Sequence, residues 1–252
     1  LSTLTHFDNL DEYDVVINLA GEPIVAKKWT DEQKHKIEQS RWSITEEVVR
    51  LINAGENPPK LLISGSAIGF YGRQQDQIID ENFSTPHDEF SHQLCERWEF
   101  LAKKAQSEKT RVCILRTGVV ITRRGGALQK MLLPFKLGLG GPIGDGTQYM
   151  SWIHLEDMLR GIAHLIANDS CEGVYNFTAP NPVTNGKFSR ELASALSRPC
   201  VFKVPEFALR MIMGEMGNLV LYGQRVVPKR LQESGYKFIY PEISEAFNCL
   251  RK

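Results

Sequence analysis

The stretch LLISGSAIGFYG, Leu61 to Gly72, starts as an apolar strand and turns small and polar where such a strand would reach its carboxyl end. It carries Ser64, Ser66, Tyr71 and three glycines. Hydroxyls of this kind can assist proton transfer, and glycine lets another group come close to the backbone. Three more apolar runs end the same way: NLAGEP (18–23), RTGVV (116–120) and NFTAP (176–180). Open parallel sheets bind ligands beyond the carboxyl ends of their strands. Four such ends therefore suggest one shared binding edge; the alternative is that all four are ordinary strand-to-helix turns.

A charged residue sharpens the question. Ile37, Ile44, Val48, Leu51 and Ile52 repeat at helical spacing, and Arg41 falls on the same stripe with Thr45 one turn on. A guanidinium facing a core needs an anionic or carbonyl partner. Either Arg41 snorkels at the sheet edge or it touches the phosphate or ribose of a bound cofactor. In a second helical pattern, Phe90, Leu94, Trp98, Leu101 and Ala105 form a face that reads as wholly apolar, with His92 off it and solvated. In SWIHLEDM (151–158), Glu156 and Asp157 occupy a helix's first turn, where the macrodipole alone accounts for acids. His154 reads as a structural histidine that orients a loop by hydrogen bonding.

The elements that must position these groups alternate. DVVINLA (14–20) is a strand. A helix follows over about 30–54, with Thr30 as cap and Gln33 as its reciprocal partner. The Leu61 strand comes next, then a helix over 89–105, a strand VCILRTGVVIT (112–122), a helix over 155–167 and a strand GVYNFTA. Near-continuous apolar strands alternating with helices predict an α/β fold whose parallel sheet is covered on both faces. The glycine-rich segment GLGGPIGDG and the proline-punctuated region after Ala179 read as a smaller lobe packed over the sheet.

Composition narrows the function classes. The chain has 252 residues, 42% of them apolar, so it can bury a substantial core. Thirty basic and thirty acidic residues cancel, which argues against nucleic acid and acidic membranes as partners. No apolar run approaches the roughly 20 residues that span a bilayer. Cys95, Cys113, Cys171, Cys200 and Cys249 are scattered without C-x-x-C spacing, so reduced thiols in a cytoplasmic protein are expected. The six histidines lack ligand spacing, and no metal site is expected.

Seven segments occur in order: DVVINLAGEPI, SRWSIT, LISGSAIGFYG, RTGVVI, LPFKLGLGGPIGDG, SWIHLEDM and GQRVVPKRLQESGYKF. Together they resemble the extended short-chain dehydrogenase/reductase superfamily, and within it the epimerase-family branch related to nucleotide-sugar epimerases. The resemblance spans essentially the whole chain. It implies a Rossmann-type doubly wound parallel sheet with a smaller C-terminal substrate lobe. Residues 1–122 and 151–179 would form the dinucleotide-binding domain, and 123–150 and 180–252 the lobe. It implies NADP rather than NAD as cofactor, a small-molecule substrate, and room for a homodimer. Leu19, Ala20, Gly21, Arg41 and Ser64 would lie along the cofactor. Thr117, Gly118 and Val119 would line the nicotinamide pocket. Gly140, Gly141, Trp152 and His154 would face substrate.

Two departures shape the functional expectation. Such proteins open with a β-α-β unit of roughly 30 residues or more, whose glycine-rich turn clamps the pyrophosphate. No such motif precedes Asn18 here, and the chain begins at Leu1 rather than Met, so it is expected to hold a dinucleotide weakly and to fold less well alone. The superfamily's Tyr-x-x-x-Lys pair, in which lysine lowers the tyrosine pKa, falls on Phe90 and Leu94, which transfer no proton. Ser66, or less well Ser64, matches the assisting serine, and Tyr71 is a substitute acid/base without a lysine nearby in sequence. One reading is an NADP-dependent oxidoreductase or epimerase-like enzyme on a carbonyl or nucleotide-sugar substrate. The other is an NADP(H)-binding sensor or regulator without chemistry.

Overall fold

The computed structural model describes residues 4–123 and 125–248, without the side chains of Ala127 and Lys130. Cys249 lies outside the described residues. Four parallel strands form the main sheet: β1 (Val15–Asn18), β2 (Leu61–Ala67), β4 (Arg111–Thr117) and β8 (Gly173–Phe177), side by side in that order. Between them in sequence run α1 (Asp31–Asn53), the short β3 (Ile78–Ile79), α2 (Phe90–Lys103), β5 (Val119–Ile121), α3 (Gly126–Lys136), β6 (Tyr149–Met150), β7 (Trp152–His154) and α4 (Leu155–Ala167). The remainder is β9 (Val183–Thr184), α5 (Asn185–Ala195), α6 (Glu206–Met213), α7 (Asn218–Leu221), β10 (Arg225–Val226), α8 (Lys229–Glu233) and α9 (Ile243–Phe247).

The strands are apolar throughout because both faces of the sheet are covered. Leu62, Val112 and Ile114 pack against Val48, Leu51 and Ile52 of α1 and Ala102 of α2. Their neighbours in sequence, Leu61, Ile63, Cys113 and Leu115, face the other way and meet Ile162 and Leu165 of α4 and Leu231 of α8. This is the α/β architecture expected from the alternation of elements, and the Rossmann type that the family resemblance implies. A separate core joins Leu128, Leu132 and Phe135 of α3, Trp152, Phe188 and Leu192 of α5, and Ile243 and Phe247 of α9.

Three sequence expectations need correction. The strand read as 112–122 is two strands, because the chain breaks away at Gly118: its N–H donates to Phe177 O at 3.1 Å, and that of Val119 to Ser151 O at 2.9 Å. β5 thereby leaves the main sheet to pair with β7. Thr30 does cap α1, accepting from Gln33 N at 3.2 Å, but the Gln33 side chain does not return the bond, and its Nε2 is buried without a partner. The third is Asp157. It is a first-turn acid, but it is fully buried and accepts from Ile239 N at 2.8 Å, Tyr240 N at 2.9 Å and Tyr236 OH at 2.8 Å. This carboxylate fastens the segment after α8 to the start of α4. Replacing it removes the acceptor of the Ile239 and Tyr240 N–H groups and leaves the Tyr236 hydroxyl only the Asp157 carbonyl, so Asp157→Ala is expected to lower unfolding stability by at least about 2 kcal/mol, read from urea denaturation; an unchanged midpoint would contradict this role.

Candidate functional site

The carboxyl ends of β1, β2, β4 and β8 lie in one row because the strands are in parallel register: Asn18 beside Ser64, Ser66 beside Arg116, Ala67 beside Thr117 and Thr117 beside Phe177. Leu19, Ala20, Gly21, Ser64, Ser66, Thr117, Gly118 and Val119 are thus brought to one edge. Arg41 joins them from α1. Its Nη1 donates to Glu22 O at 3.0 Å and to Ile37 O at 3.1 Å, and its guanidinium lies 5.3 Å from the centre of the Trp98 ring. Beneath it, Thr45 Oγ1 accepts from Trp98 Nε1 at 2.9 Å and from Asn18 Nδ2 at 3.0 Å. Burial lowers the pKa of Arg41, with nearby Cys95 and Glu22 opposing the shift. Among the described residues it has no ion-pair partner, and its Nε and Nη2 donate no hydrogen bond.

The glycines of this edge are small for a reason other than a ligand. A Cβ on Gly21 would lie 2.8 Å from Arg41, one on Gly65 2.9 Å from Trp98, one on Gly69 3.2 Å from Ser91 and one on Gly118 2.6 Å from Ser151 O. What approaches the backbone closely at these four positions is the protein itself.

Ser66 and Tyr71 are drawn into a buried polar network. Arg116 grips Glu99 with two hydrogen bonds, Nε to Oε1 at 2.7 Å and Nη2 to Oε2 at 2.8 Å. Ser66 Oγ donates to the same Glu99 Oε1 at 2.8 Å. Arg116 Nη1 donates to Tyr71 OH at 3.1 Å, which donates onward to Asn176 Oδ1 at 2.7 Å. Asn176 is held in turn by its Nδ2 on Val227 O at 3.0 Å and its N–H on Glu81 Oε1 at 2.9 Å. Tyr71 has no exposed surface. Burial raises its pKa to about 12, although Arg116 pulls the other way. A phenol held neutral and out of solvent is poorly suited to acid/base work near neutral pH, and these surroundings give it a structural place.

The second helix differs from its sequence reading by one position. Phe90 meets Trp29 edge-to-face at 4.8 Å, and Leu94 is buried, its carbonyl accepting from Trp42 Nε1 at 3.2 Å. The residues four apart that face the end of β2 are Ser91 and Cys95, next to Gly69, and one turn further Glu99 reaches Ser66. Burial pushes the Cys95 thiol up to about 11. So this face is not wholly apolar, and His92 is not solvated: it is 7% exposed, with Nδ1 against Phe70 O. Sequence reasoning missed Glu99 and Arg116. The available signal was Arg116 itself, a charge inside a buried strand that demands a carboxylate.

The four residues expected at substrate are placed elsewhere. A Cβ on Gly140 would collide with Phe135 at 2.3 Å and one on Gly141 with Phe202 O at 1.8 Å, so both are packing glycines. Trp152 is fully buried, its indole donating to Asn181 O at 3.2 Å. His154 caps α4, its Nδ1 accepting from Glu156 N at 3.2 Å, and its ring lies against Tyr240. Trp152 stands in register with Val119 across β5 and β7, beside the edge that holds Ser66, but its side chain packs into the separate core.

A parallel sheet whose strand ends carry serines, with a half-buried arginine reaching them from α1, is a Rossmann-type arrangement. Residues 2–177 match the NAD dependent epimerase/dehydratase family, and the chain belongs to it. Residues 204–250 match a domain of unknown function, DUF1731. The chain is 41% identical over 237 residues to an epimerase family protein SDR39U1 homolog, chloroplastic, of Arabidopsis thaliana, covering 93% of this chain and 67% of that one. To an epimerase family protein of Staphylococcus saprophyticus it is 36% identical, covering 96% and 81%. Among solved structures, human epimerase family protein SDR39U1 (isoform 2) with NADPH superposes with a TM-score of 0.91 at 32% identity, covering 94% of this chain and 81% of that one. A nucleoside-diphosphate sugar epimerase from Corynebacterium glutamicum gives 0.76 at 30%, covering 94% and 46%. No helix among the described residues is long and apolar enough to cross a membrane.

Two outcomes follow from the network. Removing one member of a buried ion pair costs about 3–5 kcal/mol, so Glu99→Ala should be strongly destabilised, and adding Arg116→Met should recover part of the loss in urea unfolding. Tyr71 has its pKa raised from 10.0 to about 12 in the folded chain. Its contribution to stability is therefore complete below pH 10.0 and is lost as pH rises towards about 12. Comparing alkaline unfolding of the wild type with Tyr71→Phe isolates that part; identical alkaline slopes would refute the assignment.

Proposed function

We propose that this chain binds NADP(H), in preference to NAD(H), along the carboxyl edge of β1, β2 and β4, and acts as an oxidoreductase or epimerase-like protein on a small carbonyl or nucleotide-sugar substrate. The observation that carries this is Arg41. A half-buried guanidinium that meets only neutral oxygens, two carbonyls and the Ser40 hydroxyl, with two nitrogens uncommitted, calls for an anion or an equivalent acceptor. A dinucleotide phosphate or ribose supplies one. Leu19 and Ala20 are exposed beside it, and with Gly21 they would run along the cofactor. Ser64, fully buried, would support that edge from within the sheet, and Thr117, Gly118 and Val119 would line the nicotinamide end. The human relative bound to NADPH supports the choice of cofactor. Bound nicotinamide supplies hydride chemistry; Ser66 stands at the edge as an assisting hydroxyl whose proton is aimed at Glu99.

The second reading, cofactor binding without turnover, is favoured by one feature. The face of α2 beside Gly69 carries Ser91 and Cys95 rather than a tyrosine and a lysine, and Tyr71 is locked in the network. Turnover separates the two. NADPH absorbance and product epimers would be followed over a panel of carbonyl compounds and nucleotide sugars; tight cofactor binding with no turnover of any would overturn the first reading. A charge-assisted hydrogen bond is worth about 1.5–3 kcal/mol, or about 10- to 100-fold in affinity. Arg41→Ala should therefore weaken NADPH binding by at least about tenfold in a fluorescence titration, and an unchanged affinity would remove Arg41 from the site.

A further inference from the structure

Large apolar side chains from three short stretches stand in solvent, each more than half exposed. Leu133 and Leu137, four apart at the end of α3, form the first stretch with Leu139. Val201 and Phe202 form the second. The two run side by side: Gly138 lies against Pro199, Gly141 against Phe202, and Val204 N–H donates to Pro142 O at 2.8 Å. The third is α6, which starts directly after Pro205 and turns Phe207, Met211 and Ile212 to solvent. We propose that this face docks on the surface of an anionic membrane, with its apolar side chains among the lipid headgroups and its cations on lipid phosphates.

α6 is fixed in place and yet has no buried residue. Its inner side rests on Gly217 through Leu209 O and the Met213 side chain. Lys28 Nζ donates to Met211 O at 3.2 Å, and Arg210 Nη2 to Tyr222 OH at 3.0 Å. The helix is therefore held by its backbone and polar groups, while its apolar side is left outward. Soluble monomers rarely expose a contiguous apolar patch of more than a few hundred Å²; larger ones mark contacts with another protein or with a membrane.

Charge selects between those two. Residues 133–146 and 198–212 carry Lys136, Arg198, Lys203 and Arg210 against Asp145 and Glu206. All four cations are exposed, and among the described residues none of them is in an ion pair. The thirty basic and thirty acidic residues of the chain cancel overall, so this excess is local. A second copy seated here would set the same cations against each other, which disfavours a homodimer through this face. An anionic lipid surface accepts the apolar side chains and the cations together.

The test is co-sedimentation with vesicles of phosphatidylcholine alone and of phosphatidylcholine with phosphatidylglycerol in equal parts. The chain should sediment with the mixed vesicles and not with the neutral ones, and high salt should weaken the association. A basic residue at an anionic surface is worth about fivefold in affinity. Arg198→Glu combined with Lys203→Glu should therefore bind at least about tenfold more weakly. Phe207→Glu combined with Met211→Glu should lose at least about tenfold as well. Phe100→Glu, on α2 and as exposed as Phe202, should leave binding unchanged. No sedimentation with the mixed vesicles, equal sedimentation with both, or patch variants that bind like the wild type would overturn the proposal. So would a concentration-dependent dimer in ultracentrifugation that Met211→Glu dissociates, which would give the face to a second copy. The comparison of the two vesicles uses the unaltered chain and stands if a variant fails to fold.

Discussion

The fold turns on one buried ion pair. Arg116 lies in the middle of the sheet at 4% exposure and Glu99 on α2 at 1%. Neither charge could be left alone there, since an isolated buried ion costs several kcal/mol. The pair fixes the rotation of α2 against β4, and through Ser66 it fixes β2. Through Tyr71 and Asn176 it reaches β8 and the backbone of Val227. A purely apolar interface would tolerate a small slide of the helix; a two-pronged hydrogen-bonded fork does not. The position of Ser91 and Cys95 at the binding edge follows from that rigidity.

This arrangement changes what the small residues at the strand ends mean. Glycines there are commonly taken to make room for a ligand. At Gly65 and Gly69 the room is filled by Trp98 and Ser91. The helix can approach the sheet closely enough to reach Arg116 only because those positions lack side chains. At the β1 end it is Arg41, on α1, that keeps two nitrogens free of hydrogen bonds.

Much of the architecture was legible because it rests on local periodicity. The alternation of apolar strands and amphipathic helices specified the parallel sheet, and Thr30 marked the start of α1 correctly. The site was less legible for a physical reason. Helical spacing repeats every 3.6 residues, so one residue of offset still leaves an apolar-looking stripe, and Phe90 with Leu94 was as consistent as Ser91 with Cys95. Contacts distant in sequence, such as Glu99 with Arg116 or Asp157 with Tyr240, leave no periodic trace. Only the oddity of a charge within an apolar run hints at them. Gly140, Gly141 and Trp152 look like ligand residues in sequence because packing against Phe135, Phe202 and the α3–α5 core also calls for very small or very large side chains.

The ties from β8 and β3 to the far end of the chain bear on how the protein is made. Asn176 Nδ2 donates to Val227 O, and Glu81 accepts the N–H of Arg230 as well as that of Asn176; β3 finds its only strand partner among the described residues in β10. During synthesis, everything up to Phe177 is available long before Val226 to Arg230 emerge. Until then a growing chain holds the Glu81 carboxylate and the Asn176 amide short of partners on the β8 side of its sheet. The region matched by the epimerase family is thus one stretch of sequence and an incomplete unit of structure, closed by residues translated about fifty positions later.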